Sequence, residues 1–250
     1  MRSLLIDADV IAFQVAAVHE DVIDWDGDGD VQVIPHLDEA CDHMDEYVAE
    51  LLADAECDQA VICLSAVGDY FRHEFFPEYK SGRKGRRPEL LNVMKNYLET
   101  GWYSFRKPRL EADDVMGILQ TNPKLIPGET IICTIDKDLR QIPGLHMDLK
   151  TREIEEESAE AGEYFFYTQI LTGDSVDGFK GCPGIGPKKA EKILGDLTVD
   201  EYWPAIVEAY EKKGLTEEDA IIQARVARIL RHGEYDYKHK EPILWQPNNQ

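Results

Sequence analysis

The sequence has 250 residues, 43% of them hydrophobic and four of them Trp, which is enough to bury a core and too apolar for a disordered chain. Its formal charge is -22, yet between Arg72 and Arg109 ten Lys or Arg stand against four Glu, a local +6 that leaves -28 on the remainder; a polyanionic substrate is not excluded, only made dependent on cations. No apolar run approaches the ~18 residues of a membrane span, and the five Cys form no CxxC pair, which excludes familiar zinc motifs and a disulfide framework and predicts a soluble cytoplasmic protein.

In chain order, SLLID (residues 3–7) reads as a first strand ending in a carboxylate, since Asp7 and Asp9 interrupt what might be taken for a signal peptide. DWDGDGD (24–30) opens like a calcium loop, but Pro35 stands where the twelfth position needs a bidentate Glu, so the stretch is an acidic hairpin tip between VIDW and VQVI. A helix is expected from His36, a strand at QAVICLS (59–65), helices from Pro88 and over EADDVMGIL, and a strand at TIICTID (130–136). Apolar runs alternating with helices predict βαβ units and a mostly parallel sheet, whose binding groups collect beyond the strands' carboxyl ends, where Asp7 and Asp136 stand. REIEEESAEAGE (152–163) is expected as a solvated helix start or loop. Dense Gly and Pro then place a helical second part at 161–250, after an α/β part at 1–160, and Thr216, Asp219 and Gly233 bracket a late helix.

Four acidic groups are framed by apolar residues: Asp7 with Asp9; Glu111 with Asp113 and Asp114; Asp136 with Asp138; Asp174 with Asp177. Singly, each is explained by helix capping and the macrodipole, an effect of about 0.3–1 kcal/mol. Gathered in one cleft they would repel one another unless a cation neutralised them, and oxygen-only ligands suit two Mg²⁺ or Mn²⁺ ions. The run FFPEYKSGRKGRRPE supplies Lys80, Arg83, Lys84, Arg86 and Arg87 as phosphate contacts, with aromatics beside them. CPGIGPKKAEKIL has the helix–hairpin–helix pattern: Gly184 and Gly186 allow close backbone approach to a phosphate, the next helix offers its N–H groups, and Lys188 and Lys189 add charge.

With LIDAD, YKSGR, LEADDVMGIL, TIDKDL, GDSVDG and PGIGPKKAEKIL in this order, the chain resembles the 5′→3′ exonuclease and flap endonuclease family over about residues 4–194, and its later segment is most similar to the tailed-phage members. The resemblance implies an α/β fold with a PIN-like, resolvase-like central sheet flanked by helices, a helical arch over the cleft (within 72–109), and a C-terminal helix–hairpin–helix part. It implies metal-site roles for Asp7, Glu111, Asp113, Asp114, Asp136, Asp138, Asp174 and Asp177, catalytic roles for Lys80, Arg83, Asp113 and Asp114, and a K⁺ ion at the hairpin. Ser65 stands where the family usually has an Asp, with Asp69 nearby, so the second metal's coordination departs from the family pattern. The expected activity is metal-dependent hydrolysis of DNA from a 5′ end or flap, extending to RNA–DNA hybrids, by a monomer in the host cytoplasm of a phage. The alternatives are a PIN-type ribonuclease and a non-catalytic helix–hairpin–helix DNA-binding module.

Overall fold

The computed structural model describes residues 1–82 and 85–247. β1 (Arg2–Asp7) runs through the middle of the molecule and leads into α1 (Ala8–Val18), with Asp7 as the helix N-cap. A hairpin of β2 (Glu20–Ile23) and β3 (Gln32–Pro35) follows, and its acidic tip is closed by Asp24, which accepts from the Gly27 and Gly29 N–H groups. Then come α2 (Leu37–Asp54), β4 (Gln59–Leu64), α3 (Leu91–Gly101), β5 (Ser104–Arg106), α4 (Ala112–Gln120) and β6 (Glu129–Thr134). β7 (Gly144–Asp148), β8 (Ile154–Glu157) and α5 (Ala159–Thr172) precede a helical tail of α6 (Pro187–Leu194), α7 (Val199–Glu211) and α8 (Glu217–Ala227). The described chain ends in a small hairpin, β9 (Tyr235–Asp236) and β10 (Glu241–Pro242).

Six strands form one sheet in the order β5-β4-β1-β6-β7-β8, parallel throughout except that β8 runs against β7. Central strands covered on both faces must be apolar throughout, and β1 obeys this by alternation. Leu4 and Ile6 face α1, α2 and α3, Leu5 faces α4, and all three are fully buried. Burial of each such side chain favours the fold by about 1.5–3 kcal/mol. The two-sided cover leaves polar side chains to the strand ends: Arg2, Ser3, Gln59 and Glu129 pair at the amino ends, and carboxylates stand at the carboxyl ends.

The C-terminal helices share an apolar cluster of their own, built on Phe166, Tyr167, Ile170, Leu194, Ile206, Tyr210 and Trp245. The chain then returns to the sheet: Ile229, Leu230 and Tyr235 join the cluster under α4. Gly117 permits this, because a Cβ there would lie 2.4 Å from the Leu230 carbonyl.

Two expectations take another form. The acidic stretch after Arg152 is an edge strand in its first half: β8 needs only one hydrogen-bonded neighbour and no buried face, so Glu155 and Glu156 lie exposed, while its second half is the expected helix start, with Ser158 as N-cap of α5. The helical arch does not form among the described residues from Phe75 to Leu90, which make only turns; Pro77, Gly82, Gly85 and Pro88 interrupt any helix there. The helix that follows, α3, belongs to the body, where Leu91, Met94 and Leu98 are buried in the core.

Candidate active site

Asp7 ends β1, almost fully buried, and its Oδ1 accepts from the Val10 N–H at 3.3 Å. Its Oδ2 accepts from the Thr134 hydroxyl at 2.8 Å, at the end of the neighbouring β6, and the same hydroxyl accepts from the Asp136 N–H at 3.0 Å. Burial first, and then Asp9, push the Asp7 carboxyl up to about 7. Asp113 stands on the first turn of α4 and is held well above the usual carboxylate range by burial and by Asp136 and Asp7. These three carboxylates line one open cleft of about 1120 Å³ at the carboxyl ends of the strands.

Asp138, on the 3₁₀ turn after Asp136, continues the acidic ground toward the C-terminal part. Burial, then Asp136, Asp174 and Asp177, push it up to about 7, and its Oδ1 accepts from Gln169 Nε2 at 2.8 Å. Lys137 lies between the two acidic groups with Nζ 3.1 Å from Asp174 Oδ2. Although burial opposes it, Asp174 is lowered by that ammonium and by the Val176 N–H. Among the described residues no three His, Cys, Asp or Glu side chains already stand close enough to ligate one ion. Asp7, Asp113 and Asp136 thus gather in the cleft, and Asp138, Asp174 and Asp177 adjoin them, as carboxylates that repel across a shared space.

Asp114 and Glu111, also expected at the metal site, are engaged by cations of the chain itself. Asp114 is fully buried: Oδ2 accepts from Arg72 Nη1 at 2.8 Å and the Glu111 N–H at 3.2 Å, Oδ1 from Arg72 Nη2 at 2.9 Å and the Leu230 N–H at 3.2 Å. Glu111 Oε2 accepts from Arg72 Nη1 at 2.9 Å and the Tyr79 hydroxyl at 2.8 Å, while Oε1 accepts from Lys80 Nζ at 2.5 Å. Burial works against it, but Lys80 and Arg72 hold Glu111 below its ordinary value. Both oxygens of Asp114 thus anchor Arg72 and the C-terminal chain, and Glu111 seats Lys80.

Lys80 is itself held firmly. Its φ of +56° is left-handed, a conformation of real cost for a side-chain-bearing residue. Its N–H donates to the Asp177 carbonyl at 2.9 Å, and its Nζ is 3.8 Å from Asp177 Oδ1. His73 supports the preceding carbonyl: Nδ1 accepts from the Tyr70 N–H at 3.2 Å, which leaves Nε2 to donate to the Tyr79 carbonyl at 3.3 Å. Of the other basic residues, Arg86 pairs with Glu20 and Arg87 lines the cleft; Arg83 and Lys84 lie outside the described residues. Ser65 Oγ accepts from the Ala112 N–H at 3.0 Å, so the position where a carboxylate was expected caps the helix that carries Asp113.

On the C-terminal side Gly184 has φ +74° and Gly186 is the N-cap of α6, with Pro187 at its first position. Lys188 and Lys189 are exposed beside this turn, and Lys189 Nζ donates to the Gly184 carbonyl at 2.7 Å.

Residues 3–165 match the family model described as the 5′-3′ exonuclease N-terminal resolvase-like domain. The chain belongs to the 5′→3′ exonuclease family. It is 31% identical over 209 residues to the exodeoxyribonuclease of Enterobacteria phage T3, covering 69% of this chain and 68% of that protein. It is likewise 31% identical over 207 residues to the exonuclease of Escherichia phage T7, covering 68% of each. The fold is shared with the phage T5 D15 flap endonuclease in a pseudo-enzyme-product complex with DNA and metal ions, at a TM-score of 0.66 and 14% identity over 91% of this chain and 89% of that one.

Several residues of this family member's site carried no signal in the sequence. His73, Lys137 and Gln169 act through pairing with other side chains or with backbone, which spacing along the chain does not reveal. Lys95 is another: from α3 it places Nζ 3.0 Å from Asp9 Oδ1 in the cleft. Arg72 did have a signal, as the Arg inside the aromatic run DYFRHEFF, seven residues after Ser65, at the place of an Arg of the family pattern.

Proposed function

We propose that the chain hydrolyses DNA phosphodiester bonds from a 5′ end or 5′ flap, using divalent ions held by the cleft carboxylates. The observation that carries this reading is the convergence of Asp7, Asp113 and Asp136 in one open cleft, with the carboxyl of Asp7 driven upward by burial, Asp9 and Asp136, and that of Asp113 by burial, Asp136 and Asp7. The donor set fits a hard cation: it is all oxygen, negatively charged and short of counter-charge. Asp7, Asp113 and Asp136 would hold one ion, and Asp138, Asp174 and Asp177 a second. Mg²⁺ or Mn²⁺ bound there supplies charge neutralisation at the phosphate and lowers the pKa of water toward neutrality.

The chain's own residues do the rest. Lys80, seated between Glu111 and Asp177, offers an ammonium to the scissile phosphate at the cleft wall. Arg87 and Lys95 extend positive charge along the same cleft. The hairpin at Gly184–Gly186 and the first turn of α6 present N–H groups, with Lys188 beside them, to a duplex backbone, so binding there is independent of base sequence. A K⁺ ion at this turn would compete with the exposed Lys189 ammonium for the Gly184 carbonyl. The α/β part to about residue 160, completed by Asp174 and Asp177 from the helical part, then carries the chemistry, and the rest of the helical part grips the duplex, in a monomer that also accepts an RNA strand paired to DNA.

The test maps product lengths from a 5′-labelled flap and a blunt duplex, each with Mg²⁺ and with EDTA. Asp113→Asn should abolish cleavage while binding the flap in Ca²⁺ as tightly as the parent; undiminished turnover in that variant refutes the assignment.

A further inference from the structure

The edge strand β5 carries an array of rings that the cleft does not use. Ser104 and Arg106 turn toward α3, each bonded to Glu99, while Tyr103, Phe105 and Lys107 lie on the opposite face. Tyr103 and Phe105 meet edge to face at 5.1 Å. Lys107 Nζ stands 5.9 Å from the centre of the Phe105 ring and 5.8 Å from that of Tyr237, so the ammonium is held between two aromatic faces. Tyr237 meets the buried Tyr235 at 5.2 Å, which fixes the far end of the array.

Single exposed aromatics need no explanation, but this is a continuous row with its outer rings open: Tyr103 is 53% exposed and Tyr237 47%. Lys238 and Lys240 follow directly, exposed, and neither forms an ion pair among the described residues. Rings interleaved with ammonium groups are the composition of a surface that stacks bases and tracks a backbone. In a chain of net charge -22 such a patch attracts a polyanion only where its cations cluster. The row also starts beside the cleft, because Arg106, the residue after Phe105, lines it on the other face of the same strand.

We propose that Tyr103, Phe105, Lys107 and Tyr237 form a second nucleic-acid site, a stacking platform for single-stranded DNA. Its occupant is the strand left unpaired as its complement is digested, an identification that rests on the 5′→3′ nuclease reading. Holding that strand keeps the protein on its substrate between cleavage events.

The experiment compares the wild type with a Tyr103→Ala/Tyr237→Ala double variant and with Lys107→Met. It measures anisotropy of a fluorescent oligothymidylate in Ca²⁺, the site of cross-linking to a bromodeoxyuridine oligonucleotide, and nucleotides released per encounter with a long duplex under a heparin trap. Each lost stacking contact should weaken oligonucleotide binding by roughly 5- to 150-fold. Cross-links should fall on Tyr103 or Tyr237, and runs under the trap should shorten, while the first cleavage on a short blunt duplex keeps its rate. Tyr103→Phe, which retains the ring, should bind as the wild type does. Oligonucleotide binding unchanged in the double variant, or cross-links confined to the cleft and the glycine hairpin, overturns the proposal. Failure of the nuclease reading would show separately, as a wild type that degrades no duplex, and the oligonucleotide arms decide the platform in either case.

Discussion

Replacing Arg72 with Met tests whether the acidic helix start is built around a buried cation or around ions from solution. Arg72 is 2% exposed, between the rings of Phe71 and Tyr79. All of its N–H donors are placed: Nε on the Val226 carbonyl, Nη1 on Glu111 and Asp114, Nη2 on Asp114 and the Arg228 carbonyl. One side chain thus joins the 3₁₀ turn that precedes Lys80, the start of α4 and the end of α8. Met fills similar volume but leaves two buried carboxylates facing each other, and breaking a buried pair in this way costs about 3–5 kcal/mol. That is a large share of the roughly 5–15 kcal/mol that holds a domain together, and at about 2–4 °C per kcal/mol for a chain of this size the melting temperature should fall by about 6–20 °C. The assay is thermal and urea unfolding in EDTA. Adding Asp114→Asn and Glu111→Gln to Arg72→Met should recover much of the loss, because neutral groups no longer repel. An Arg72→Met variant within about 1 kcal/mol of the parent, or a triple variant less stable than the single one, would refute the reasoning. Asp114→Asn alone should lower stability yet leave the folded fraction active, whereas a ligand would show the reverse.

His73→Ala should lower kcat by up to about 100-fold through a misplaced Lys80, with KM little changed, and should add nothing in a Lys80→Ala background; equal losses in both backgrounds would show that His73 does not act through Lys80. Asp7 and Asp138, each pushed up to about 7, and Asp113, also raised, keep protons in the folded state that the unfolded chain releases near 3.8, so in EDTA stability falls as pH rises between about 4 and 7. Mg²⁺ competes with those protons, and its increment in melting temperature should be larger at about pH 8 than at about pH 5.5; equal increments would contradict the site. Gly117→Ala drives a methyl group to 2.4 Å from the Leu230 carbonyl and should cost about 1–3 kcal/mol in urea unfolding, unless the segment 228–231 detaches from α4.

The parts legible in the sequence are those written in one stretch of chain. β1, β4 and β6 are continuous apolar runs because both faces of the sheet are covered, and such runs announce themselves. Their terminal carboxylates, Asp7 and Asp136, follow from the same logic, since only the strand ends admit a polar group. What the sequence hides is the choice of partner. Spacing puts Glu111, Asp113 and Asp114 on one helix start, but it cannot say that Asp113 turns to the cleft while Asp114 turns inward to an Arg 42 residues earlier in the chain. β8 was hidden for a related reason, since an edge strand needs no apolar face and four residues of Ile and Glu carry no period. Ser65 shows the limit from the other side. Judged by type it is a missing ligand, yet its hydroxyl holds the first N–H of α4 and so positions Asp113. A carboxylate at that position would bring a further negative charge beside Asp7, Asp9, Asp113 and Asp136, whereas the hydroxyl gives the helix its cap without adding to a repulsion that already pushes the Asp7 and Asp113 carboxyls up.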